Sequence, residues 1–272
     1  MLSISPVSIN NFSNSIQKPK NSRLSSIPVD SVNLSFKAND VQEEDDLDTS
    51  LFGFFIRLKV DRRLPEILNK AETIKYSAGI EQNYAKSVIG TRLKKLEQVI
   101  AKTPELIEDN GVDKSFSEYD GNCLKSVTTF TTDENGINIK RVDIVNRDGT
   151  KDIILTDGKN DVYGIRLGVK QIAPKSYLQR SELIFKNGQL VSYCDSISCV
   201  NDGNAKSKVK TKKNFYRFNN GLLSTYTPDI EFIGKDSFCK KFYLFKDGKI
   251  RKYMEELHIE NGKKLPNLEF TF

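Results

Sequence analysis

The sequence predicts an α+β protein in which a disordered N-terminal tail and a short segment of two main helices precede an antiparallel β-meander of repeated hairpins. Three observations carry this. Turn dipeptides crowd the chain from about Ser115 to Phe272, helical periodicity fills residues 64–102, and the first 50 residues lack the apolar density of a core.

In the tail, residues 1–50, Ser and Asn dominate, Pro6, Pro19 and Pro28 interrupt, and an acidic run of Glu43, Glu44, Asp45, Asp46 and Asp48 closes the segment. Low apolar content with a charge block reads as a disordered tail; an export or docking signal is the functional alternative for such a composition. Residues 51–111 form the second unit. It opens on LFGFFIRLKV, Leu51 to Val60, behind Thr49 and Ser50 as helix caps. Ten residues leave helix and strand undecided, so the run is expected to be a buried anchor, with a membrane-surface role, aided by Arg57, Lys59, Arg62 and Arg63, as the other reading.

Pro65 suits a first helical turn, and Ile67, Leu68, Ala71 and Ile74 recur on one face until Ser77-Ala78-Gly79 is expected to end that helix. The second helix carries the stripe Tyr84, Val88, Ile89, Leu93, Leu96, Val99 and Ile100, read as a packing face. Thr103-Pro104-Glu105 then opens a single turn that stops at Asn110-Gly111.

From residue 115 the dipeptides Asp120-Gly121, Asn135-Gly136, Asp148-Gly149, Asp157-Gly158, Asn187-Gly188, Asp202-Gly203, Asn220-Gly221, Asp247-Gly248 and Asn261-Gly262 each predict a type I′ reversal. Three share a longer pattern, F-x-[ND]-G-x-[LI]-x-x-Y, found by comparing the chain with itself: Phe185 to Tyr193, Phe218 to Tyr226 and Phe245 to Tyr253. A two-residue loop places Phe185 opposite Leu190, Phe218 opposite Leu223 and Phe245 opposite Ile250. Each Tyr lies an odd number of residues beyond its Leu or Ile. It therefore points to the other face unless a β-bulge intervenes.

This unit resembles MORN-type repeats and related bacterial meander proteins, over residues 183–262. The phenylalanines are spaced more widely and less regularly than in that family, whose following glycine is also missing here. The resemblance implies scaffolding or lipid and partner binding, with no catalytic residues to carry over.

The formal charge of +6 on 272 residues is modest. It favours anionic partners over acidic-patch binders without naming one. The alternating row Lys206, Lys208, Lys210 and Lys212, with Lys213 and Arg217 beside Phe215 and Tyr216, is the candidate anion-binding site; its structural reading is a solvent-facing or edge strand guarded against aggregation. His258, the single histidine, alternates away from Leu257 and Ile259 and reads as solvent-facing. Cys123, Cys194, Cys199 and Cys239 are too scattered for a disulfide framework or a zinc site; Cys199, in the slot of Phe232 and Ile259, reads as core. Asp133-Glu134-Asn135-Gly136 and Asn201-Asp202-Gly203-Asn204 lack the spaced ligands of a calcium loop. No nucleotide-loop or nucleophile-elbow pattern occurs.

The expectation is therefore a non-enzymatic binding protein without cofactor or metal, its partner a protein or, second, a polyanion. An exported effector directed by the tail is the alternative. The start lacks a basic and apolar leader, so reduced thiols in a cytosolic setting are expected, with signal-independent export as the other course. An outer-membrane barrel is considered because Leu268, Phe270 and Phe272 alternate toward the end, but a last strand pairing in the core is preferred.

Overall fold

A computed structural model describes residues 45–200, 209–233, 236–260 and 263–272, and the residues from Asp46 onward form one compact unit. The expected disordered tail, and the turns at Asp202-Gly203 and Asn261-Gly262, lie outside the described residues.

One helix, α1, runs without interruption from Asp45 to Lys102, 58 residues and about 87 Å at 1.5 Å per residue. The expectation of two main helices is thus corrected. Thr49 and Ser50 lie inside α1 instead of capping it, Pro65 is in its interior, and Ser77-Ala78-Gly79 does not end it. The reason is a single buried stripe that outweighs local breakers. Ile56, Val60, Ile67, Ala71, Ile74, Ala78, Ala85, Ile89, Leu96 and Val99 are all buried, at steps of three, four or seven residues that hold one face of a straight helix. Pro65 and Gly79 both fall off that stripe, on the exposed side. The Pro costs the helix one backbone hydrogen bond and on the order of 3 kcal/mol, and docking onto the sheet supplies more.

After a 3-10 turn at Pro104–Leu106 the chain becomes one antiparallel sheet of sixteen strands among the described residues. The first half holds β1 (Glu108–Asp109), β2 (Lys114–Asp120), β3 (Cys123–Asp133), β4 (Gly136–Val145), β5 (Lys151–Thr156), β6 (Val162–Ala173), β7 (Ser176–Gln179) and β8 (Ser181–Lys186). The second holds β9 (Gln189–Cys194), β10 (Ser196–Val200), β11 (Val209–Asn219), β12 (Leu222–Ile233), β13 (Asp236–Lys246), β14 (Lys249–Glu260), β15 (Lys263–Leu265) and β16 (Leu268–Thr271). Strands follow one another in sequence order. β7 with β8 and β9 with β10 are single staves broken at Arg180 and Asp195, and β15 and β16 both pair with β14. Among the described residues the sheet does not close: β1 and β15 are its ends, and Phe270 and Phe272 pack into the core beneath α1.

The three predicted cross-strand pairs are present: Phe185 opposite Leu190, Phe218 opposite Leu223 and Phe245 opposite Ile250. Their turns are built as the sequence requires, because Asn187-Gly188, Asn220-Gly221 and Asp247-Gly248 have positive φ at both positions. Other dipeptides do different work. Asn135-Gly136, for example, does not form the loop; Glu134 and Asn135 do, between paired Asp133 and Gly136.

In each of the three hairpins the register then slips by one, leaving Val191, Ser224 and Arg251 without a partner. That bulge restores the lost parity. Tyr193, Tyr226 and Tyr253 therefore turn to the same face as their Phe and Leu or Ile, against the helix. The β2–β3, β3–β4 and β5–β6 hairpins carry the same slip.

Two cores lie under α1, and they are met in reverse order of sequence. The C-terminal half of the helix, from Ala78 to Val99, packs on Phe116, Phe130, Ile139, Val142, Ile154, Ile165 and Leu183. Its N-terminal half, from Ile56 to Ile74, packs on Tyr216, Phe218, Tyr226, Tyr243, Phe245 and Tyr253. A Cβ on Gly53 would come within 3.2 Å of the Phe270 ring, a tight contact that the ring would have to yield to by a few tenths of an ångström. On the face away from the helix, Phe215, Phe242 and Met254, each adjacent to a helix-facing Tyr, join Ile197, Cys239 and Leu257 in a third cluster.

Candidate functional site

Strand pairing brings five tyrosines into a ladder across β9, β11, β12, β13 and β14. Tyr193, Tyr216, Tyr226, Tyr243 and Tyr253 are successive direct partners, with ring centroids 6.3, 4.6, 5.5 and 5.0 Å apart. Three come from the repeat. Tyr216 and Tyr243 sit two residues before a repeat Phe, a signal present in the sequence as Y-x-F-x-[ND]-G but missed there.

At one margin of the ladder the sheet bends. Asn214 adopts φ 45°, a left-handed conformation that Asn tolerates, and its side chain anchors a small network. Tyr226 Oη donates to Asn214 Oδ1 (3.0 Å), Asn214 Nδ2 donates to Asp195 Oδ2 (2.9 Å), and Tyr193 Oη donates to Asp195 Oδ1 (2.6 Å). Burial pushes the Tyr226 hydroxyl up to about 12; burial, and then the bond to Asp195, raises that of Tyr193. Both stay protonated at neutral pH and act as donors.

Between this bend and α1 lies a cleft of about 490 Å³. Its floor is Tyr216, Tyr226 and Tyr243. Arg63, Glu66 and Lys70 descend from the helix, and Asp229, Lys240 and Lys241 rise from β12 and β13. Among the described residues Arg63, Lys70 and Lys240 make no ion pair, Lys241 stands opposite Glu255 on β14, and Asp195 is held by the two donors above.

The lysine row of β11 is placed differently. Lys206 and Lys208 lie outside the described residues. Lys212 Nζ bonds Glu182 Oε2 at 2.7 Å with both side chains largely buried, and it covers the Phe215 ring at 4.8 Å. Lys210 is half-buried beside the same carboxylate, and burial lowers its ammonium from the ordinary value. Burial alone would raise Glu182, but Lys212, then Lys210 and Arg166, outweigh it and hold the carboxyl below the usual range. Lys213 is exposed, and Arg217 lies over Phe215 at 5.1 Å. Of the described members, Lys210 and Lys212 are thus drawn to Glu182, Lys212 and Arg217 share the Phe215 ring, and Lys213 stands exposed.

Of the remaining candidates, Cys194, Cys199 and Cys239 are buried free thiols, and burial pushes Cys194 up to about 11. A thiol so raised is a poor nucleophile at neutral pH. His258 is exposed, its ring 4.6 Å from that of Phe238. Among the described residues, no group of three or more acidic, Cys or His side chains is placed to hold a metal ion, and no helix is long and apolar enough to cross a membrane.

The run Leu51–Val60, expected to be buried, is only partly so. Ile56 and Val60 face the sheet, while Leu51, Phe52, Phe54, Phe55 and Leu58 are exposed, Phe55 at 64%. Further along, Tyr76 and Ile80 are exposed away from the buried stripe, Tyr76 at 75%, and the exposed Tyr84 lies at its flank, beside Ile144 and Ile154 of the sheet. The sheet explains the difference, because α1 can press only one face onto a single layer. The sequence matches no protein-family model and no curated protein.

Proposed function

We propose that this is a non-enzymatic binding protein whose partner is a protein received on the outward face of α1. The observation that supports it is the double apolar character of the helix. One stripe is spent on the sheet, yet eight large apolar side chains of α1 stand exposed, five of them within residues 51–58, and Leu51, Phe54, Phe55, Leu58, Tyr76 and Ile80 lie off that stripe. A surface helix ordinarily turns polar residues outward, and contiguous exposed apolar patches mark interaction sites. Aromatic side chains are the usual anchors of such interfaces. The partner binding implied by the resemblance to MORN-type repeats agrees in kind. Polyanion capture by β11 has less support, since Lys212 is tied to Glu182.

The test is a photo-reactive amino acid placed in cells at Phe55 or Tyr76, with one at Lys249 on β14 as control. The expected result is a discrete protein adduct from the two helix positions alone, lost when Phe54 is changed to Asp. Lipid adducts would replace this reading with a membrane-surface one, and equal labelling at all three positions would overturn it.

A further inference from the structure

We infer that the cleft between α1 and the tyrosine ladder is a binding site for a small planar organic anion, an aromatic ring bearing a phosphate or carboxylate. This site is separate from the outward helix face, and neither reading depends on the other.

The size is right: about 490 Å³ falls within the range of small-ligand sites, roughly 300–1,000 Å³. The charge is arranged for an anion. Arg63 and Lys70 come from the helix, Lys240 and Lys241 from the facing strand, so a ligand between them meets cations from both walls. Lys59, one helical turn before Arg63, is paired with Glu255 at 2.6 Å, which shows that this helix finds acidic partners on the sheet when they are in reach. Among the described residues Arg63, Lys70 and Lys240 form no such ion pair, and Lys241 stands opposite the same Glu255 that Lys59 holds. Three acids, Glu66, Asp195 and Asp229, stand against the four cations, so the lining keeps a formal excess of one positive charge, and Asp195 is held in place by its bonds from Tyr193 and Asn214.

The floor favours a ring. Tyr216, Tyr226 and Tyr243 line the cleft at centroid spacings of 4.6 and 5.5 Å, within the range at which aromatic rings contact one another. Both ends of that series are taken by Tyr193 and Tyr253, so a ligand ring would rest on the cleft side of Tyr216, Tyr226 and Tyr243 with its charged group among Arg63, Lys240 and Lys241. Tyrosine floors with basic rims receive amphipathic anions because stacking is indifferent to charge while the rim is selective for it.

Calorimetric titration of the full-length protein with phenyl phosphate and benzoate tests this, with inorganic phosphate and benzyl alcohol as controls. Both aromatic anions should bind saturably, at least tenfold tighter than either control. Lys240→Ala with Lys241→Ala, at surface positions where folding is checked by the thermal melt, should weaken them about tenfold or more, and Glu66→Gln should tighten them. The inference is overturned if neither aromatic anion binds, if inorganic phosphate binds as well as phenyl phosphate, or if the double lysine variant binds unchanged.

Discussion

The two halves of the sheet solve the same packing problem under one helix with different side chains. Over β2 to β8 the buried core holds no tyrosine: Phe130, Ile139, Val142 and Leu96 are fully buried against Ala78 and Ala85, whose small side chains bring the helix close. Over β9 to β16 the same positions are tyrosines. A tyrosine buries its ring but needs a partner for its hydroxyl, so that half must stay open at its margin, and the cleft lies there. Dry packing gives stability alone; packing with a polar tip gives stability and a surface.

The largest expected effect probes the dry half. Phe130→Ala should cost about 3–5 kcal/mol in urea unfolding, the range for an aromatic deleted from a closed core. At the seam, Glu182→Gln leaves Lys212 buried without its counter-charge and should cost about 3 kcal/mol. The pH dependence follows from the depressed Glu182 carboxyl. Its contribution is fully present above the unfolded carboxylate value of about 4.3 and is lost as pH falls through the lower folded value. Unfolding curves across that window should be flatter for the Gln variant.

A matched pair of substitutions follows. Gly221→Ala, at φ 74° in a tyrosine-half hairpin, should destabilise by about 1–2 kcal/mol. Gly79→Ala, on the exposed side of α1 with nothing within 4 Å of the new Cβ, should stabilise by about 1 kcal/mol. Smallest is Tyr226→Phe, which removes the hydroxyl that bonds Asn214 and should cost about 1 kcal/mol while leaving the ring in the ladder. A cost as large as that of Phe130→Ala would erase the difference in packing between the two halves.

The hairpins were legible because Asn-Gly and Asp-Gly act locally: turn, loop length and the Phe185–Leu190, Phe218–Leu223 and Phe245–Ile250 pairs all follow from a few adjacent residues. The bulges at Val191, Ser224 and Arg251 left only the odd Tyr spacing as a trace, which posed the question of facing without answering it. The single helix was hidden for the opposite reason. Pro65 and Gly79 are strong local breakers, and the sheet that overrides them is assembled from distant sequence. The cleft was not legible at all, because Arg63, Asn214 and Lys241 meet only through strand pairing across α1 and the bend.

One consequence of the helix's reversed path concerns the order of folding. The N-terminal half of α1 docks onto strands made much later: Lys59 reaches Glu255, 196 residues on. Emerging from synthesis, residues 51–74 would present their sheet-facing stripe, as well as their outward one, until the final hairpins are complete. Such long loop closure slows folding. The early helix is therefore a template in waiting, and a chain cut before β13 would keep the first core but lose most of the second.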